Sequence, residues 1–350
     1  MKFLLYFVSS AFILVGSCAQ TKHSVKIENL KESIKIQDSA YVVKYANSIT
    51  SDELSKIVYE FASNEFLGRE AGEIGQRKAA DYIKNFYIKN EIYSPLENNR
   101  YKQDIPVEFF EELILKDSEN VLAYIEGEEK PEEVIIISAH LDHLGVQDDQ
   151  IYYGADDNGS GTAGLLQIAQ AFKLAEYDGF RPKRSILFLH VTAEENGLYG
   201  SRYYIKNPVF ELEKTVCDLN IDMIGRVDGL HKKNKNYIYL IGSDRLSTEL
   251  HYISEKVNKT YYNLEFDYTL NDENDRNRFY YRSDHYNFAK NNIPVIFYFN
   301  GAHEDYHLPT DTADKIDYEL LALRTKLIFA TAWQLANQDK RIVLDNLINN

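Results

Sequence analysis

Cysteine is scarce: Cys18 and Cys217 are the only two in 350 residues. If Cys18 is modified, as its context suggests below, Cys217 has no partner for an internal disulfide and packing must hold the fold. Positive charge is scarce too, with 39 Lys plus Arg against 54 Asp plus Glu and a formal net of −15. A nucleic-acid binder needs a basic face to neutralise phosphates, so the balance argues against that class and predicts no nucleic-acid partner. No repeat recurs at a period of about 20 to 50 residues, which sets aside solenoids and propellers. The apolar run from Phe3 to Gly16 is fourteen residues long, short of the roughly 20 that a spanning helix needs. Hydrophobic residues make up 44% and charged residues 27%. That is enough for a real core and too apolar for wholesale disorder. The length suits one large α/β domain or two modest ones.

Met1-Lys2, the apolar stretch and the small residues that follow read as a secretory signal. The break, Val15-Gly16-Ser17-Cys18, resembles the lipobox of bacterial lipoproteins. That resemblance implies cleavage before Cys18, diacylglycerol on its thiol, and a membrane-anchored, exported lipoprotein of the bacterial cell envelope. Residues 1–17 are then the signal, and 18–48 the anchor with a polar, weakly periodic tether and lead-in. A body follows over 49–340.

Within the body, Thr50 and Glu53 fit a capping box, and Leu54, Ile57, Val58 and Phe61 recur on one helical face. The wholly apolar run Val134–Ser138 and the predominantly apolar segments Ser185–Val191, Val216–Ile221, Tyr237–Ile241 and Ile293–Phe299 read as buried strands. Helical spacing occupies Gly161–Ala175 and Tyr318–Leu335. The alternation predicts an α/β fold, a largely parallel or mixed central sheet with helices on both faces. In such sheets, sites form beyond the carboxyl ends of the strands. The gap between the Tyr82 helix and the Val121 strand is too short for an inserted domain, and no second domain is expected.

Polar clusters sit directly after the apolar runs. They are His140-Leu141-Asp142-His143, Asp156-Asp157-Asn158 before a Gly-Ser-Gly turn, Glu194-Glu195, Asp222, and Tyr306-His307 with Asp311. Residues two apart on an extended segment share a face, so Asp142 could orient His140 through its other ring nitrogen. Adjacent carboxylates repel unless a cation sits among them. Taken singly, each cluster also has an ordinary reading: a structural histidine at a strand end, or a solvated Asx-rich turn.

Together the five clusters match in order, type and spacing the co-catalytic zinc aminopeptidases of metallopeptidase family twenty-eight, relatives of bacterial leucyl aminopeptidase and aminopeptidase Y. Leu67-Gly68-Arg69-Glu70-Ala71-Gly72 and Arg282-Ser283-Asp284-His285 match as well, so the resemblance covers roughly residues 50–338. It implies a three-layer αβα, phosphorylase/hydrolase-like zinc peptidase fold with a mixed sheet, and a zinc peptidase catalytic domain over 49–340. It implies that His140 and Asp222 bind one zinc, that His307 and Glu195 bind the other, and that Asp157 bridges them. Glu194 would be the general base, Asp142 the residue orienting His140, Tyr306 an oxyanion stabiliser and Arg282 a substrate contact. A cis peptide after Asp157 is also implied.

The chemistry is coherent by residue type alone. Five ligands with one shared supply three bonds to each of two Zn²⁺, and a shared water brings each ion to four, the number zinc prefers. Manganese or cobalt would also accept these donors. Two metals can activate water and polarise a carbonyl together, with Glu194 taking the proton. The expected function is a lipid-anchored exopeptidase, foremost an aminopeptidase acting on peptides with free N-termini. Glutaminyl cyclase resembles this family but uses a single zinc, and retention of every ligand position disfavours it. A carboxypeptidase or dipeptidase of the same family is the other alternative. Among the remaining residues, His143 and His303 read as supports beside the site and His190 as a core histidine. His231 shows no constellation. Asp156 reads as a solvated turn residue, Asp311 as a partner for His307, and Asn271–Asn277 as a loop that rims the cleft.

Overall fold

The computed structural model describes residues 24–111 and 116–345; Cys18 and the signal-like segment lie outside the described residues. Eight strands form one sheet: β1 (Lys102–Ile105), β2 (Ser118–Ile125), β3 (Lys130–His140), β6 (Arg184–Val191), β7 (Thr215–Ile221), β8 (Tyr237–Ile241), β9 (Glu265–Asp267) and β10 (Val295–Phe299). Their order is β1-β2-β6-β3-β7-β10-β8-β9. The four central strands β6, β3, β7 and β10 run parallel, whereas β2 and β8 flank them antiparallel. The sheet is therefore mixed, as the alternation of elements predicts. A separate hairpin pairs β4 (Val146–Gln147) with β5 (Gln150–Ile151). Its two turn residues, Asp148 and Asp149, both have positive φ, the twist that a two-residue hairpin loop demands.

The apolar runs are strands because both of their faces are covered. Every residue of β6, β7, β8 and β10 is buried. In β3 the side chains alternate: Ile135 and Ile137 join one core, and Val134 and Ile136 the opposite one. The first core is roofed by α3 (Ser51–Phe61), α4 (Ile74–Lys89), α5 (Gly161–Tyr177), α7 (Thr248–Tyr261) and α9 (Tyr318–Asn337). Tyr204 of α6 (Tyr199–Lys206) and Phe288 of α8 (His285–Ala289) help close the second. Each fully buried Ile or Leu contributes roughly 1.5–3 kcal/mol. Many such residues replace any need for a disulfide, and Cys217 is a free, buried thiol whose ionisation burial opposes.

Two local readings need amendment. Only half of the capping box forms: Thr50 Oγ1 accepts the Glu53 N–H at 3.3 Å, while the Glu53 carboxylate pairs with Lys56. The lead-in is also more than a tether. Residues 24–33 form helix α1, and Val42 and Tyr45 of α2 (Ser39–Ala46) are buried in the first core, Tyr45 beside Trp333.

Parallel neighbours end at one edge, which decides where the polar clusters meet. His140 is the last residue of β3, Glu194 and Glu195 follow β6, Asp222 follows β7, and His307 lies in the loop after β10.

Candidate metal centre

Asp157 sits in the turn Ala155–Ser160 that enters α5, and the Asp157–Asn158 peptide is cis, as the resemblance implies. Arg69 holds this turn against the His140 loop. Its guanidinium is fully buried and donates to the carbonyls of Leu141 (3.0 Å), Phe61 (3.0 Å), Tyr153 (2.7 Å) and Gly154 (2.8 Å). Burial brings its pKa down to about 10, against the pull of nearby carboxylates, so it remains a cation. The sequence marks Arg69 only as part of a matching segment. Its scaffold role comes from contacts to residues far along the chain.

The ligand candidates converge in two groups that share Asp157. His140 Nε2 lies 3.3 Å from Asp222 Oδ1 and 3.3 Å from Asp157 Oδ1. The other Asp157 oxygen, Oδ2, lies 3.1 Å from His307 Nε2, which is also 3.1 Å from Glu195 Oε2. Asp157 thus offers one oxygen to each histidine. His143 enters the second group as well, with Nδ1 2.9 Å from Glu195 Oε1 and 3.7 Å from Asp157 Oδ2. Among the described residues, two sets of donor atoms are tight enough to share an ion: His140, Asp157 and Asp222, and His143, Asp157 and Glu195.

These residues fit metal binding on tautomer grounds. His140 Nδ1 faces the Asp142 carbonyl at 3.2 Å, so that nitrogen carries a proton. Nε2 then faces two carboxylate oxygens, an arrangement that calls for positive charge at that point, supplied by a proton on Nε2 or by a metal ion among the three groups. Nearby charges agree. Burial would lower His140, but Asp222 and Asp157 outweigh it and hold the ring well above its ordinary value. Burial would likewise lower His307, yet Asp157 and Glu195 bring it up to about 10. Despite burial, the histidines hold the Asp157 and Glu195 carboxyls below their usual range. Glu194 goes the other way: burial, offset only in part by His140, raises it well above an ordinary glutamate. The two adjacent glutamates are thereby distinguished.

Several supporting residues lie elsewhere than the sequence suggests. The Asp142 carboxylate is 3.8 Å from His140 Nδ1 and accepts the backbone N–H groups of Glu194 (3.2 Å) and Glu195 (3.4 Å). Strand β3 ends at His140, so the two-residue alternation does not extend to Asp142. Asp311 does not bond His307; its carboxylate accepts the N–H groups of Asp156 (3.0 Å) and Asp157 (3.1 Å). Asp156 is no solvated turn residue. It is fully buried, paired with His303 at 3.1 Å, and accepts the Gly225 N–H at 2.7 Å. His231 does have a constellation, 2.8 Å from Asp228 and 3.2 Å from Asp267 and stacked on Tyr237. His190 is a core residue bonded to the Tyr87 hydroxyl at 2.8 Å. Asp222 gains a support that the sequence marks only as part of a matching segment: Ser283 donates to its Oδ2 at 2.7 Å.

A cleft of about 270 Å³ opens over the cluster. Asp157, Glu194, Glu195 and Asp222 line it with His307, Tyr306 and Arg282, and Phe279, Phe297, Phe299 and Met223 form an apolar wall. Tyr306 stacks on His307 with ring centroids 3.9 Å apart, and Arg282 lies over Phe279. The Asn271–Asn277 stretch is mostly irregular, and none of its residues lines this cleft, whose nearest lining residue along the chain is Phe279.

A model described as Peptidase family M28 matches residues 120–332. A probable glutamate carboxypeptidase, LAMP1 of Arabidopsis thaliana, is 35% identical over 121 residues; the match covers 34% of this chain and 17% of that protein. The chain thus spans a small part of the length of that curated relative. LapB from Legionella pneumophila shares the fold with a TM-score of 0.68 and 22% identity, covering 87% of this chain and 77% of the other. BSAP, a zinc aminopeptidase from Bacillus subtilis, does so with a TM-score of 0.64 and 15% identity, covering 86% and 99%. At these identities the likeness is one of fold.

Proposed function

The chain belongs to peptidase family M28, and from that membership we propose that it is a dinuclear metal-dependent exopeptidase, foremost an aminopeptidase. The observation that carries the reading is Asp157 standing between two histidines, one carboxylate oxygen toward each. His140 and Asp222 would hold one ion, His307 and Glu195 the other, and Asp157 both. His plus carboxylate donors suit zinc. Bound there, the ions supply Lewis acidity toward a peptide carbonyl and toward water.

The protein's own groups do the rest. Glu194 Oε takes a proton from the attacking water and returns it to the leaving amine, a task for which its raised proton affinity suits it. The Asp142 carboxylate fixes the backbone of both glutamates. The Tyr306 hydroxyl, which burial keeps protonated, donates to the carbonyl oxygen as charge develops there. Arg282 is the one Lys or Arg lining the cleft among the described residues. The wall of Phe279, Phe297, Phe299 and Met223 favours an apolar N-terminal side chain.

The test is a panel of free, N-acetylated and C-terminally amidated peptides. Cleavage that needs a free N-terminus and tolerates an amidated C-terminus is expected. Cleavage of N-acetylated peptides from their C-terminal end would make the enzyme a carboxypeptidase, and cyclisation of N-terminal glutamine a cyclase.

The same reading places the enzyme on the bacterial envelope, anchored through Cys18, because Val15-Gly16-Ser17-Cys18 follows a short apolar run. One acyl chain binds membranes only marginally, whereas two or more anchor stably. Cys18→Ser should release or misprocess the chain. Unchanged membrane fractionation together with an unchanged mass of the mature N-terminus would rule the anchor out.

A further inference from the structure

We propose that His143 is the positioning residue for Glu195: its imidazole donates Nδ1–H to Glu195 Oε1 and so turns Oε2 toward His307 and Asp157. The inference rests on the two-metal reading above and adds the residue that sets the second site.

His143 is buried and reaches Glu195 Oε1 at 2.9 Å through Nδ1. Its other ring nitrogen, Nε2, is buried without a hydrogen-bond partner. That asymmetry selects the tautomer. With the proton on Nδ1, the ring makes a charge-assisted bond to a carboxylate and leaves only a lone pair unmatched. With the proton on Nε2, a buried N–H has no acceptor, and the Nδ1 lone pair faces oxygens of Glu195 and Asp157. An orphaned buried donor costs about 1–3 kcal/mol, and the facing acceptors add repulsion. Binding a metal through Nδ1 requires this second tautomer, so the surroundings favour a donor over a ligand.

The ring is also held in place. Gly154 has φ +53°, and a Cβ there would sit 2.5 Å from His143 Cγ and Cδ2. The backbone that leads to Asp157 therefore lies directly on the imidazole, and no other residue fits at 154. The His307 ring stands edge-on to His143, with centroids 5.9 Å apart. Glu195 is thus engaged on both oxygens, Oε1 by His143 and Oε2 by His307 at 3.1 Å. Hydrogen bonds of this kind to a ligating carboxylate commonly matter 10–100-fold in metal affinity, by order of magnitude.

The experiment titrates the demetallated full chain with Zn²⁺ and resolves two binding steps, for wild type, His143→Ala, His143→Asn and His143→Gln. Asn places an N–H donor where imidazole Nδ1 stands, whereas Gln extends its donor toward the Nε2 position. His143→Ala should weaken the second step by about 10–100-fold and leave the first within a few-fold. His143→Asn should recover most of the second step, and His143→Gln should not. Thermal melts of the metal-free variants report folding separately; if His143→Ala fails to fold, the Asn and Gln pair decides. An Asn variant no better than Gln overturns the donor role. So does an Ala variant with unchanged second-step affinity, while two ions in wild type keep the function reading intact. A wild-type chain that takes up a single Zn²⁺ overturns the two-metal reading and this inference with it.

Discussion

Glu194→Gln is expected to lower turnover by about 10²–10⁴-fold while the chain keeps its normal metal content. Glutamine preserves the shape of the side chain and removes its basicity. No ligand candidate leans on the Glu194 carboxylate: the histidines face Asp157, Asp222 and Glu195 instead. Glu195→Gln should behave differently, because it removes a charged oxygen 3.1 Å from His307 and the acceptor of His143. It should lower occupancy at one site as well as the rate. Metal stoichiometry measured beside the single-turnover rate separates the two. If Glu194→Gln loses an ion while Glu195→Gln keeps both and merely slows, the roles of the adjacent glutamates are exchanged.

Asp157→Ala should be the more damaging change to metal binding, emptying both sites rather than one. Each of its oxygens faces a different histidine, at 3.3 Å and 3.1 Å, so no other single residue serves both groups. The surrounding turn should survive, since Asp311 holds the backbone N–H at position 157 and Arg69 holds the neighbouring carbonyls. A ligand present at a thousand times its dissociation constant stabilises a fold by about 4 kcal/mol. Zn²⁺ should therefore raise the melting temperature of wild type strongly and that of Asp157→Ala little. The metal-free proteins should melt close together. A variant that still binds two ions would contradict the shared-ligand geometry, and one whose metal-free form no longer folds would contradict the hold of Asp311 and Arg69 on the turn.

The sequence by itself determined the layers and the edge on which the site stands. Strands buried on both faces read as predominantly apolar runs, which is why Ser185–Val191 and Val216–Ile221 are legible and coincide closely with β6 and β7. Helices with one covered face show their period, as Leu54, Ile57, Val58 and Phe61 do in α3. Parallel neighbours end together, so acids and histidines placed just after those runs had to meet. Tertiary structure decided which group faces which. Asp311 meets Asp156 and Asp157 across 155 and 154 residues of chain. Asp156 meets His303, and Arg69 reaches four separate carbonyls. Periodicity carries no signal for such pairs, because it encodes only the side of an element that solvent reaches. Asp142 shows the limit most sharply: an alternation rule valid within β3 lapses two residues beyond its end, and the carboxylate accepts the backbone N–H groups of the glutamates. A polar side chain buried at the end of a strand takes whichever donor the fold brings within about 3 Å, and only the packing of distant segments decides which donor that is.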